Sequence, residues 1–107
     1  MFKIIRASEA TPRQIAETYK ANNFITKDIS PNVSLAVNEA TNHQETEYTQ
    51  YDRIYYVLEG EIEFYFDGET VIVKAGDSCF VSHDTEYKFS GTFKSVVVNQ
   101  PAFGSNI

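Results

Sequence analysis

The sequence predicts an all-β domain, built as an antiparallel sandwich or barrel. This prediction rests on short runs of alternating apolar and polar residues, on regular turns between them, and on the pair Asp67-Gly68. Asp-Gly is the strongest of these signals because it suits the two-residue hairpin turns that need positive φ. A length of 107 residues fits one domain. We therefore expect a single domain, 1–107, with an N-terminal arm at 1–30 and a barrel core at 31–100.

The strand segments share a period of two, which places successive side chains on opposite faces of a sheet. Both faces of residues 54–58 are apolar, and Gly60 ends that run. The predicted strands lie at residues 33–37, 54–58, 62–66, 71–73, 80–81, 87–89 and 96–98.

The first thirty residues predict a short strand followed by a short helix. Apolar residues at 2–5 indicate the strand. Thr11 suits an N-cap, Pro12 suits the first helical turn, and Gln14 can complete a capping box. The apolar residues that follow fall on one helical face, and we expect the helix to end near residues 22–23 and to cover one end of the barrel.

The charge balance argues against nucleic acid and membrane as partners. The chain carries 15 acidic and 9 basic residues, a formal net charge of −6. A surface of that sign repels phosphate backbones and anionic lipids. Residues 1–6 are too few and too polar for a signal peptide, and no apolar run approaches the ~20 residues of a membrane helix. One cysteine, Cys79, cannot form an internal disulfide, which fits a reducing cytoplasm.

The middle of the chain resembles a cupin. The resemblance lies in Tyr-Val-Leu-Glu-Gly-Glu at residues 56–61, in the Asp67-Gly68 hairpin, and in Ala-Gly-Asp at residues 75–77. Residues 51–60 look most like the ethanolamine-utilisation (EutQ-like) cupins, which carry a similar run before Tyr-Val-Leu-Glu-Gly and lack the usual histidines. The resemblance implies a single cupin barrel, that is, a double-stranded β-helix or jelly roll, with one short N-terminal helix.

The resemblance also implies which residues replace the metal ligands of other cupins. If Gly60 is the motif glycine, Arg53 stands where the family has glutamate. The two histidines of the first motif would fall at Thr46 and Tyr48, or one residue later at Glu47 and Thr49. The histidine of the second motif falls at Tyr87. Because no ligand position matches, we expect neither a metal nor another cofactor, although an atypical divalent metal stays open.

Arg53 suggests what the site binds instead. A guanidinium carries a fixed positive charge and five N–H donors but no lone pair, so it repels a metal and attracts a carboxylate, phosphate or enolate. Alternation as in the family would point it into the barrel mouth, together with three tyrosines. The expected ligand-binding residues are Glu47, Tyr48, Arg53, Tyr55 and Tyr87. The alternatives are that the tyrosines merely fill the barrel and that Arg53 forms an edge salt bridge to Glu47 or Glu45.

The remaining chemically active side chains give weaker signals. His43 could join Glu45 and Glu47 in an improvised metal site. His83 lies in a turn, where most histidines are solvated. Cys79 lies on a predicted strand and is expected to be a small buried hydrophobe.

The sequence leaves several functions open. We expect a cytoplasmic protein that binds an anionic or oxygen-rich metabolite, with no catalytic residue assigned. The alternatives are an enzyme using Tyr, Glu and Arg, such as an isomerase, a lyase or an acyl-phosphate-type enzyme, and a metal cupin with displaced ligands. We also expect a homodimer, in which the first strand or the Phe24-Ile25 segment reaches the partner, because open sheet edges need cover.

Overall fold

A computed structural model describes residues 1–105 and contains an antiparallel β-sheet of seven strands. A single 3-10 turn, Ala7–Glu9, precedes them. The strands are β1 (Thr11–Ala16), β2 (Tyr19–Ile25), β3 (Ser34–Thr49), β4 (Asp52–Phe66), β5 (Glu69–Lys74), β6 (Ser78–Val81) and β7 (Thr85–Gln100). No helix within these residues has the length and apolar character needed to cross a lipid bilayer.

The three long strands give the sheet its two layers. The sheet order is β1-β2-β3-β7-β4-β5, and β6 pairs with the other half of β4. The β3–β7 register shifts between Ala40 and His43, and the β4–β7 register shifts between Val57 and Glu59. Such irregularities bend strands, so the two halves of each long strand belong to different layers. This arrangement and the similar structures reported below confirm the predicted jelly-roll fold class.

Two glycines make the bend possible. Gly60 has φ +73°, and a Cβ added there would overlap the carbonyl oxygen of Thr92. Gly91 has φ +139°, and its Cβ would come within 2.6 Å of the carbonyl oxygen of Glu61. The backbones of β4 and β7 therefore approach too closely for a side chain at either position. This explains physically why a glycine ends the apolar run at position 60.

The core lies between the two layers and is rich in aromatic rings. The ring of Tyr55, from one layer, lies 5.0 Å from that of Phe64 and 6.3 Å from that of Phe89, both from the other. Burying rings of this size contributes about 1.5–3 kcal/mol each. Residues that are less than 2% exposed include Tyr55, Val57, Ile62, Phe64 and Phe89.

The helix predicted from Thr11 to residues 22–23 is wrong. This segment forms a hairpin in which Thr11 pairs with Asn23 and Ala16 pairs with Tyr19. Tyr19 and Ala21 alternate into the core, and β2 pairs along its length with β3. The apolar spacing that also fits a helical face was therefore a strand pattern interrupted by a turn. As a result, the arm predicted at 1–30 is largely part of the sheet.

The strand predicted at residues 2–5 is also wrong. Residues 1–6 pair with no strand in the described chain, and Phe2 is 83% exposed. By contrast, the predicted Asp67-Gly68 hairpin is confirmed. Both residues have positive φ, +49° and +84°, and they join β4 to β5.

Candidate binding cavity

A cavity of about 460 Å³ lies between the layers, beside the hairpin of β1 and β2. One wall is polar and includes Asn38, Glu45, Glu47, Arg53 and Asn99. The rest of the lining includes the charged residues Arg13, Lys27 and Asp28 and the apolar residues Ile15, Ile25, Leu35, Phe89, Val97 and Phe103. A mostly apolar hollow with a few convergent polar groups is typical of small-molecule sites.

Arg53 is the buried charge at the centre of the polar wall, and its side chain is only 7% exposed. Its Nε donates to Oδ1 of Asn99 at 2.7 Å, and its Nη1 donates to the hydroxyl of Tyr87 at 3.1 Å. A guanidinium has five N–H donors, so these two bonds leave three for Glu47 and for a ligand.

The local strand pairing explains this position. Successive residues of β4 alternate between the two faces, and Arg53, Tyr55 and Val57 all point inward. Arg53 lies directly opposite Asn99 on β7, which brings the amide within reach of the guanidinium. Burial opposes the charge of Arg53, but the neighbouring tyrosines and Glu47 favour it. The net direction of its pKa is upward, so Arg53 stays cationic.

The two buried phenols form a chain with Arg53. The hydroxyls of Tyr55 and Tyr87 lie 2.6 Å apart, and that of Tyr87 also accepts from Arg53. Burial raises the pKa of both phenols. Each therefore stays protonated at neutral pH and can donate a hydrogen bond. Tyr55 lines the cavity as well as the core.

Glu47 lies beside Arg53, with 3.8 Å between its Oε1 and Nη1 of the arginine. Burial raises the pKa of this carboxyl, the charge of Arg53 lowers it, and neighbouring Glu45 raises it; the net shift is upward. Glu47 therefore takes up a proton more readily than an exposed glutamate does.

Tyr48 does not point into the barrel mouth, which corrects the expectation from alternation. It is 55% exposed, and its hydroxyl donates to Asp84 at 3.0 Å. The inward side of β3 carries His43, Glu45, Glu47 and Thr49, so Tyr48 falls on the outer side. The two histidines of the first cupin motif were aligned either with Thr46 and Tyr48 or with Glu47 and Thr49. The second alignment places both positions on the inward side of β3.

The other chemically active side chains named from the sequence are two histidines and one cysteine. His43 is buried, with one ring nitrogen on Thr18 and the other on Glu45. His83 is exposed and forms a pair with Asp52, which raises the pKa of the imidazole. Cys79 is partly buried against the core, and burial raises the pKa of its thiol.

The polar wall is a poor fit for the divalent metal of other cupins. A metal needs lone pairs, and the residue at the position of the family's glutamate is a guanidinium. Both ring nitrogens of His43 are already hydrogen-bonded, which argues against the improvised site with Glu45 and Glu47. Within residues 1–105, no group of three or more His, Cys, Asp or Glu side chains is arranged to hold a metal ion.

Three cavity residues escaped the sequence reasoning. Tyr19 lies in the segment for which the sequence predicts a helix. Its hydroxyl accepts from Nδ2 of Asn38 at 2.7 Å, and burial raises its pKa to about 12. Asn38 and Asn99 are buried polar residues of β3 and β7. In the sequence Asn38 falls on the polar side of the alternation at residues 33–37, so no local pattern marks it as a cavity residue.

Comparison with known proteins gives the family. The sequence profile described as "Ethanolamine utilisation protein EutQ" matches residues 1–103. An ethanolamine utilisation protein Q from Salmonella typhimurium has a TM-score of 0.81 and 26% identity, over 94% of this chain and 87% of that one. EutQ from Clostridium difficile has a TM-score of 0.74 and 23% identity, over 79% of this chain. The match spans 64% of the Clostridium difficile protein, less than two thirds of its length.

The fold is shared more widely. An RmlC-like cupin from Shewanella frigidimarina has a TM-score of 0.78 and 17% identity, over 92% of this chain and 90% of that one. No curated protein sequence matches the chain. The profile match over residues 1–103 confirms the resemblance to a EutQ-like cupin.

Proposed function

Because this chain belongs to the EutQ family of ethanolamine utilisation proteins, we propose that it is a cytoplasmic cupin that binds an anionic or oxygen-rich small molecule without a metal. The observation that carries this proposal is the buried guanidinium of Arg53 on the wall of the cavity. It holds three N–H donors beyond its bonds to Asn99 and Tyr87.

Anion binding without a metal follows from the charges of this wall. A carboxylate or phosphate that enters the cavity meets Arg53 where water is largely excluded, so charge-assisted hydrogen bonds are strong there. Tyr55, which lines the cavity, can add a neutral donor. The side chains of Asn38 and Asn99 can bond ligand hydroxyls, which suits an oxygen-rich molecule.

Glu47 competes with the ligand for Arg53 and gives the site a pH dependence. Trifluoroacetate is a suitable carboxylate probe because it stays ionised in mild acid. As the pH falls through the raised pKa of Glu47, the carboxylate becomes neutral and Arg53 is freed. We expect the affinity for trifluoroacetate, measured by calorimetry, to rise roughly tenfold between about pH 7.5 and about pH 5.

The Glu47→Gln variant tests this competition directly. It should bind trifluoroacetate at neutral pH as tightly as the wild type does in acid, and its affinity should no longer depend on pH. Glu63→Gln is the matched control because it makes the same change at an exposed carboxylate of β4. This variant should behave as the wild type. Weaker binding on acidification, or a Glu47→Gln variant with unchanged pH dependence, would contradict the proposal.

An enzymatic function is the second candidate, favoured by the hydrogen-bonded chain from Arg53 through Tyr87 to Tyr55. Such a chain can hold a proton near a bound anion, as an isomerase, a lyase or an acyl-phosphate-type enzyme requires. The test is the pH–activity profile of Tyr87→Phe. A variant that keeps every activity of the wild type would remove this candidate.

We propose a second copy of the chain as partner. The outer face of β4 and β6 is apolar, with Ile54 43% and Phe80 63% exposed and paired side by side. Phe24 and Ile25 are instead partly buried at the end of β2. We therefore infer that this outer face, and not the Phe24-Ile25 segment, contacts the second copy. Light scattering at micromolar concentration should give twice 12.2 kDa.

The charge-insertion variant Ile54→Glu should shift the protein to a monomer. Ile72→Glu serves as its control, because Ile72 is similarly exposed (51%) but lies on β5. A monomeric wild type, or a dimer lost equally in both variants, would argue against this face.

A further inference from the structure

We propose that Thr18, His43 and Glu45 form a proton relay between the solvent and the cavity. Thr18 is an exposed residue in the turn between β1 and β2. Glu45 lines the cavity, and His43 lies buried between the two. The relay would let the carboxyls of the cavity change their protonation while a ligand closes the mouth.

The hydrogen bonds of the relay are continuous. Oγ1 of Thr18 lies 2.8 Å from Nδ1 of His43, and Nε2 of His43 lies 2.8 Å from Oε1 of Glu45. The carbonyl oxygen of Thr18 accepts from the backbone nitrogen of Thr41 at 3.0 Å, which fixes the turn beside β3. A carboxylate can only accept, so Nε2 donates to Glu45, and Nδ1 of the neutral ring then accepts from the hydroxyl of Thr18.

The surroundings hold the imidazole in this orientation. Its ring stacks on that of Tyr19, with 4.6 Å between centroids and 13° between planes. From β7 it meets the ring of Phe89 at 5.7 Å, which carries no charge. The titratable groups in contact with the imidazole are Glu45, from its own strand, and the phenol of Tyr19, from β2. From β4, the charge of Arg53 lowers the pKa of that phenol. The imidazole of His43 therefore exchanges protons with Thr18 and Glu45, its two hydrogen-bond partners.

The transfer balances in protons and electron pairs. Glu45 takes the proton from Nε2, and Nδ1 takes the hydroxyl proton of Thr18. The Thr18 oxygen takes a proton from a hydronium ion, which is left as water. The net result is one proton moved from the solvent to Glu45, with His43 left neutral as its other tautomer. The reverse transfer returns this proton to the solvent and restores the starting tautomer, so Glu45 gains and loses a proton without rotation of the ring.

The relay ends beside the carboxyl that matters for binding. Glu45 and Glu47 lie two residues apart on the inward face of β3, and Glu45 contributes to the raised pKa of Glu47. A proton delivered to Glu45 can therefore reach Glu47, next to Arg53. This last step rests on the proposed anion binding, whereas the relay from Thr18 to Glu45 does not.

The test is the rate at which the Nε2 proton of His43 exchanges with water, measured by nitrogen-edited NMR in uniformly labelled protein. Thr18→Val keeps the shape of the residue but removes the hydroxyl. We expect exchange to slow by about tenfold or more in this variant, since an acid–base partner is lost. Thr18→Ser should restore the rate, and Thr70→Val, an exposed change on β5, should leave it unchanged.

A purely structural hydrogen bond gives a different result. If Thr18 only anchors the turn, Thr18→Val loosens it, and exchange becomes faster or stays the same; either outcome overturns the relay. Trifluoroacetate titrations of the same proteins separate the two proposals. Failure of anion binding would leave the exchange effect of Thr18→Val in place, and failure of the relay would leave wild-type anion binding in place.

Discussion

Replacing Arg53 with methionine is expected to weaken trifluoroacetate binding by about a hundredfold or more. The change removes the buried cation of the polar wall and the three N–H donors left after its bonds to Asn99 and Tyr87. A hydrogen bond to a charged group contributes about 1.5–3 kcal/mol, so losing one or two is enough for this factor. Methionine fills a similar length of the hollow, which limits the loss of packing.

Calorimetry at a fixed pH measures this effect, and Arg53→Lys is the comparison. Lysine keeps the charge but offers a compact ammonium without the planar fork, so it should retain part of the affinity. A thermal melt of each variant establishes that it is folded. Undiminished binding in a folded Arg53→Met protein would show that the anion binds elsewhere.

The Gly60→Ala variant is expected to show the largest loss of stability. Its Cβ would overlap the carbonyl oxygen of Thr92, and the residue would also be held at φ +73°. The β4 and β7 backbones must separate to accept it, which disrupts their pairing at the bend. We expect a cost of about 3 kcal/mol or more, corresponding to a fall in Tm of about 12 °C or more.

Gly68→Ala is a matched control because it shares the positive φ but not the close contact. Gly68 has φ +84°, and a Cβ there would meet nothing within 4 Å. Gly68→Ala should lower the free energy of unfolding by about 1 kcal/mol, from the strained backbone alone. Thermal and urea unfolding of both variants measure the difference. Equal costs would show that the approach of Thr92 does not constrain Gly60.

Parts of the core strands could be predicted from sequence because they show alternation, as at residues 62–66, or a short apolar run, as at residues 54–58. The pair Asp67-Gly68 marked a hairpin through local chemistry alone, and the structure has it. The β1–β2 hairpin was missed for a physical reason. Ile15, Ala16 and Tyr19 fit a helical face equally well, and only pairing with β3, which is distant in sequence, decides between the two.

The site could be predicted only in part. Arg53, Tyr55 and Tyr87 come together as alternation implies, with Glu47 beside them. The inward position predicted for Tyr48 was wrong because a shift of one residue along β3 exchanges the inner and outer faces. The bond from Arg53 to Asn99 depends on strand pairing across 46 positions, which no local pattern contains.

The most direct measurement follows the Nε–H signal of Arg53 by NMR in protein stripped of metal with a chelator. On titration with trifluoroacetate we expect this signal to shift and to saturate, with the Nε–H of exposed Arg6 as the internal reference. An Arg53 signal that stays in place until a divalent metal is added would contradict the claim that the guanidinium, and not a metal ion, holds the ligand.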